Sequence, residues 1–303
     1  NARREAGHGD PSMSFDAATL MQILKISVSV LIMAIGMQST VGDLTYLWRR
    51  PWLLLKSMLA MYVLVPLVAV ALVRLLPLDF GLKVAVVVVA ISAGAPLVPR
   101  KLMPLKNDAY VFSVIANSSL LAIVTVPLWL IALSNFSGAT PDITPLEVGR
   151  LIGRTFLLPL AVGMGVRMLM PSLSEKVSDI LLKAGGIVLG LGGLLLLVLG
   201  WPLLREAGWI SLLVLAVLTA LSLVVGHLMG GPDEEDRTAL AISCATRHLG
   251  IAVLIAAAVP GQRIGVLVVA YLVASLVASI PYIRWRKKYH KAVMVEAQAA
   301  GPS

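Results

Sequence analysis

Four basic side chains stand in or beside apolar stretches that seldom carry charge. They are Arg100 and Lys101 in AISAGAPLVPRKL (90–102) and Arg247 and His248 in AISCATRHLG (241–250). A charged group at a bilayer centre costs about 2.5–3.5 kcal/mol on insertion scales, and it is normally kept where it faces a cavity or a partner. Arginine presents planar, paired donors that suit a carboxylate, sulfonate or phosphate. Histidine titrates near neutral pH and is able to carry a proton. The chemistry these residues suggest is recognition of an anion inside a membrane. The structural alternative for Arg247 and His248 is a charge pair bonded to free carbonyls or a nearby acid. For Arg100 and Lys101 it is a snorkelling position at the interface.

The elements that must position these groups follow from hydropathy. The chain has 303 residues, of which 58% are hydrophobic and 14% charged, and its mean hydropathy is +0.91. A soluble domain carries roughly 25% charged residues, and here apolar runs of membrane-span length recur. The expected class is therefore an all-α integral membrane protein. Nine spans are expected, at about 19–38, 51–76, 82–105, 110–133, 148–170, 180–201, 209–229, 236–259 and 264–285. The third is interrupted at Pro96 and Pro99, which remove backbone donors; the eighth is interrupted near Arg247 and His248. A membrane helix tolerates such a break only where protein or a water-filled cavity serves the freed groups. Paired interrupted spans in matching halves point to a transporter binding site. The two Ala-Ile-Ser triplets lie 151 residues apart (241 minus 90). Spans two to four are thus expected to echo spans seven to nine as an inverted repeat.

The net charge of +9 is read as topology, not as a nucleic-acid signal. Odd-numbered loops and the tail carry twelve basic residues against seven in the even-numbered loops and N-terminus. The positive-inside rule then places the N-terminus outside and the C-terminus in the cytoplasm of an inner membrane. Residues 1–18 are expected to lack regular structure. Met13 is a plausible start, residues 1–12 an upstream extension, and no signal-peptide core is evident. Residues 286–303 are expected to form a cytoplasmic basic tail that touches anionic lipid. The single cysteine, Cys244, excludes an internal disulfide.

With these features on the page, the chain resembles the bile acid:sodium symporter family. The resemblance spans roughly residues 33–284. It rests on GMQSTVGDLTYLWRRPWLLLKSMLAMYVLVPLVAV, on the broken third span, on the LKND turn (105–108), and on a Ser-rich fourth span ending in VTVPL (124–128). It implies a core domain (51–133 and 209–285), a panel domain (19–38 and 148–201), two broken helices crossing at mid-membrane, and alternating access. The chain departs from the family at the sodium sites. Where the family pattern has a Gln before the Pro of the second span, this chain has Met61 ahead of Pro66. Where it has Ser-Asn, the chain has Val98 and Pro99. Where it has Glu-x-Gly-x-Gln-Asn, the chain has Ala245, Thr246, Arg247, His248, Leu249 and Gly250. A hard cation wants oxygen ligands, and Met, Val, Pro and Ala supply no side-chain oxygen.

The expectation is a secondary transporter of an organic anion, either a bile-acid-like steroid or a small carboxylate. It would be sodium-independent, working as a uniporter or linked to protons. The candidate substrate-binding residues are Arg100, Lys101, Asn117, Ser118, Ser119, Thr246, Arg247 and His248. The competing readings are a sodium-coupled symporter and a non-transporting receptor. No cofactor is implied, and sodium is disfavoured. The expected partners are the organic anion and membrane lipid, without nucleic acid. No enzyme motif such as H-E-x-x-H or G-x-S-x-G appears. His227 is expected to be structural. Trp201, Trp209 and Trp285 read as interfacial anchors, and Asp233–Asp236 as a solvated loop capping the eighth span.

Overall fold

A computed structural model of the chain describes residues 11–93, 108–137, 145–199, 201–248, 251–252, 255–256 and 262–299. Among them every regular element is helical. The elements are α1 (Pro11–Gln38), a single turn α2 (Val41–Leu44), α3 (Pro51–Leu75), α4 (Phe80–Ile91) and α5 (Asp108–Ser137). There follow α6 (Pro145–Ile152 through Gly153–Leu157 to Leu158–Leu169), α7 (Pro171–Leu199), α8 (Trp201–Met229), α9 (Glu234–Ala245) and α10 (Gln262–Ala299). Five of the described helical stretches are long and apolar enough to cross a membrane: Pro51–Leu75, Ala109–Ala132, Gly149–Leu169, Gly208–Met229 and Val266–His290. Ile26–Gln38 and Phe80–Ile91 are apolar but shorter.

The chain divides into two compact units. One is Asn1–Gln38 with Leu157–Trp201, and the other is Ser39–Phe156 with Pro202–Ser303. In the first unit, α1 and α6 meet at small residues. A Cβ on Gly36 would lie 2.5 Å from the Leu160 carbonyl oxygen, and one on Gly163 would run into the Met33 carbonyl. This is the close backbone approach that small residues permit in membrane helices. The end of α1 leaves the Met37 carbonyl without a helical partner, and Ser174 Oγ donates to it at 2.7 Å.

In the second unit, α3 contains one π-helical turn, Ala60–Leu64. Its cause is local. Pro66 has no N–H to give the Tyr62 carbonyl four residues earlier. That carbonyl is served instead by Trp129 Nε1 from α5 at 2.8 Å. Pro159 follows the π turn Gly153–Leu157 of α6 in the same relation. Trp129→Phe leaves the Tyr62 carbonyl without this donor. The expected loss is about 1–3 kcal/mol, read as a lowered midpoint of thermal unfolding in detergent.

Element bounds in the second unit recur at one spacing. Leu75 and Met229, Phe80 and Glu234, and Ser92 and Thr246 are each 154 residues apart (229 minus 75, 234 minus 80, 246 minus 92). At the same spacing, Asp79 and Asp233 are the extended residues preceding the two 12-residue helices α4 and α9. Pro127 and Pro281 are the prolines inside α5 and α10. The register suggested by the Ala-Ile-Ser triplets is therefore off by one helical turn. Ala90 and Ile91 close α4, whereas Ala241–Ser243 lie inside α9, which continues to Ala245. The first break also falls earlier than the prolines suggest, because α4 ends at Ile91, before Pro96.

Residues 11–18 are helical and belong to α1, where the sequence suggested no regular structure. The basic run continues α10 to Ala299. One of its members, Arg286, is buried, and lipid contact is not its role. It pairs with Glu234 Oε2 at 2.7 Å, donates to Thr238 Oγ1 at 2.7 Å and donates to the Glu234 carbonyl at 3.0 Å. The acidic run is the first turn of α9, with Asp236 fully buried, where negative charge offsets the helix dipole. Arg50, at the start of α3, lies 3.6 Å from Asp233 and 4.0 Å from Asp236.

His227 Nδ1 and the Tyr282 hydroxyl lie 3.0 Å apart, and the Trp285 ring packs 5.6 Å from the imidazole. His227 is thus part of an aromatic cluster between α8 and α10.

Candidate functional site

The two interruptions meet through their backbones. Helix α4 ends at Ser92, whose own side chain donates to the Val88 carbonyl at 2.7 Å. The Ser92 carbonyl accepts the backbone N–H of His248 at 2.9 Å. A carbonyl left over by one broken helix is therefore satisfied by a donor from the other. Helix α9 ends at Ala245, followed by Thr246 in an extended conformation (φ −91, ψ 141). Thr246 Oγ1 donates back to the Ile242 carbonyl at 2.8 Å, and the Tyr271 hydroxyl of α10 donates to the Ala245 carbonyl. Helical bonding resumes at once on the far side. The Ala252 N–H donates to the His248 carbonyl at 3.1 Å, and the Ile251 N–H donates to His248 Nδ1 at 3.3 Å. His248 acts there as an N-cap, an unusual residue for the place but with the required acceptor.

Arg247 sits in the break itself. It is 6% exposed, and its Nε, Nη1 and Nη2 have no hydrogen-bond partner among the described residues. Tyr62, Tyr271 and Cys244 are its electrostatic neighbours, all neutral side chains. The Tyr62 hydroxyl donates to the Ser118 carbonyl, as that of Tyr271 does to Ala245, so what either phenol offers the guanidinium is a neutral oxygen lone pair and not a counter-charge. A buried polar group without a partner is rare in a folded protein and calls for a specific reason. For a charge the cost is larger still.

The other sequence candidates fall into distinct settings. Arg100 and Lys101 lie outside the described residues, as do Val98 and Pro99. Asn117 is committed to local structure: its Nδ2 donates to the Ser113 carbonyl at 2.7 Å, and its Oδ1 accepts from Trp48 Nε1 at 2.9 Å. Ser113 in turn fastens the segment after α2, accepting the Leu47 N–H at 3.1 Å and donating to the Leu44 carbonyl at 3.0 Å. Ser118 Oγ donates to the Ile115 carbonyl at 3.0 Å. Ser119 is buried, and its hydroxyl has no partner among the described residues. Thr246 and His248 serve the backbone of the break as described.

Three participants were not singled out from sequence. Tyr62 and Tyr271 frame Arg247, and Ser243 presents a second buried hydroxyl without a partner among the described residues. The only signal for Tyr62 was its position four residues before Pro66. Met61 is fully buried in the π turn, and Ala245 is the buried last residue of α9. Neither position offers a side-chain oxygen to a cation.

A helical chain in which the ends of α4 and α9 are joined through their backbones, and which holds five apolar helical stretches of membrane length among its described residues, belongs to the class of integral membrane proteins. The family is defined by sequence: the model of the Sodium Bile acid symporter family matches residues 25–202, more than half of the 303-residue chain, and the protein belongs to that family. The matched stretch ends before α9, so Arg247 and His248 lie beyond it. No curated protein matches the chain.

Proposed function

We propose that the protein is a secondary transporter of an organic anion, a bile-acid-like steroid or a small carboxylate, and that it works without sodium. The observation that carries this reading is the buried Arg247 guanidinium, without a partner among the described residues, in the break of α9. A fixed cation there occupies the role that mobile cations play in sodium-coupled relatives, and an anion is its natural counter-charge. Ser119 and Ser243 are additional hydroxyls open to a polar substrate group. On this reading the repeated elements of the core are inverted in a nine-span inner-membrane protein, N-terminus outside and C-terminus cytoplasmic. Core (51–133 and 209–285) and panel (19–38 and 148–201) move against one another in alternating access. The division of the chain near 38/39 and 201/202 supports that arrangement. The family description names sodium, which makes sodium coupling the rival reading.

The test is uptake of labelled taurocholate or pyruvate into proteoliposomes with all sodium replaced by choline. Uptake within about twofold of that in sodium is expected. Loss of uptake in choline sinks the claim of sodium independence. Binding without flux in either buffer identifies a receptor instead.

A further inference from the structure

We propose that the carrier is an obligate anion exchanger: it reorients when an anion is bound and stalls when empty. This inference rests on the reading that Arg247 faces the transported anion. It replaces the uniport or proton-linked cycle suggested by the sequence.

The reason is the absence of a carboxylate in the stretches around the break. No Asp or Glu occurs in residues 51–75, 80–107, 109–132, 208–229 or 237–290, which hold α3, α4, α9 after its acidic first turn, and the membrane-length parts of α5, α8 and α10. The nearest acid along α9 is Asp236, in its first turn; nine residues of helix separate it from Ala245, about 14 Å. Asp236 also lies 4.0 Å from Arg50. Among the described residues the electrostatic neighbours of Arg247 are two phenols and a thiol, which are neutral and supply no counter-charge. His248, the next residue, adds only positive charge if it binds a proton. Its Nδ1 accepts the Ile251 N–H.

The consequence separates this site from one built for sodium. Mobile cations leave with the substrate, so the emptied core keeps no excess positive charge. A guanidinium is covalently attached and stays behind. Closing the empty site around it desolvates a charge with nothing opposite, whereas closing it around a bound monoanion does not. Each 1.36 kcal/mol of difference between those two barriers is tenfold in rate. The empty step is expected to be at least about 100-fold slower than the loaded one. Exchange of one monoanion for another moves no net charge, so it is indifferent to membrane potential.

The experiment uses the full chain in proteoliposomes in choline buffer, with labelled taurocholate or pyruvate outside. One set of vesicles contains the same unlabelled anion, and the other contains a zwitterionic buffer with no permeant anion. Uptake at least about 100-fold faster into loaded vesicles, unchanged by a valinomycin-imposed potassium potential, is the expected result. Equal uptake into both sets, or exchange that follows the potential, overturns exchange and leaves the anion-transporter reading standing. No uptake of either probe into either set overturns that reading, and the exchange mechanism with it.

Discussion

Arg247→Met is expected to abolish the stabilisation of the purified protein by an organic anion while leaving the anion-free protein as stable as before, or more so. The two halves of this result come from one cause. The guanidinium is buried, and its electrostatic neighbours among the described residues are the neutral Tyr62, Tyr271 and Cys244 side chains, so removing it takes away an unfavourable buried charge and no described ion pair. Removing a charged partner from a buried, hydrogen-bonded pair costs about 2–5 kcal/mol. The affinity for the anion is accordingly expected to fall at least about 30-fold. Arg247→Lys keeps the charge and loses the planar fork, and its affinity is expected to lie between the two. Isothermal titration and thermal unfolding in detergent read both quantities. A purely structural role for Arg247, with its donors bonded to the carbonyls of the break, gives the opposite sign: the anion-free variant would be less stable. That outcome would remove Arg247 from the site.

Gly226→Val is expected to have the largest effect on folding. A Cβ at Gly226 would stand 2.5 Å from Ala241 Cα and 2.6 Å from the Leu240 carbonyl oxygen, both backbone atoms of α9. No rotamer change relieves such a clash, so α8 and α9 would have to separate. That opens the contact of Leu223 with Ala241 and Ala245, against which Tyr282 packs. Ala245 is the residue on which the break containing Arg247 begins. Overpacking of this kind costs about 1–3 kcal/mol or more. The expected readout is a lower unfolding midpoint and a reduced yield of monodisperse protein on size exclusion. Gly186→Ala is the control: a Cβ there meets nothing within 4 Å, and alanine favours the helix. Equal behaviour of the two variants would show that the α8–α9 approach is not what fixes the break.

Much of the fold was legible because membrane helices are written in long apolar runs punctuated by proline. Pro51, Pro145 and Pro171 each open a helix, as their fixed φ and missing donor allow. What sequence read poorly was register. The Ala-Ile-Ser triplets lie 151 residues apart, whereas Asp79 and Asp233, and Pro127 and Pro281, hold like places in their helices at a spacing of 154 (233 minus 79, 281 minus 127). Those are positions where the backbone needs a particular residue. The break of α4 at Ser92 was placed too late because its cause is not proline alone. The carbonyl at that end is held by His248, a partner remote in sequence.

Charge was the least legible quantity. Arg286 looked like one more member of a solvated basic run, yet it is buried against Glu234 and Thr238. Arg247 looked like half of a pair with His248, yet the two do different things. His248 binds backbone on both sides of the break, and only Arg247 keeps its donors free of any described partner. The same holds for the α5 polar group. Asn117 and Ser118 are spent on Trp48 and on helix carbonyls, while Ser119 is not. A sequence shows which residues have donors and acceptors; which of them are already used is decided by packing.

The claim that the crossing of the broken helices is an anion site without sodium is tested most directly by anion-induced thermal stabilisation of the purified wild-type chain. Taurocholate and pyruvate would each be titrated in choline buffer and again in sodium buffer. At least one of them is expected to raise the unfolding midpoint by the same amount in both buffers, and Arg247→Met to show no rise in either. Stabilisation that appears only with sodium, or that persists in Arg247→Met, contradicts it.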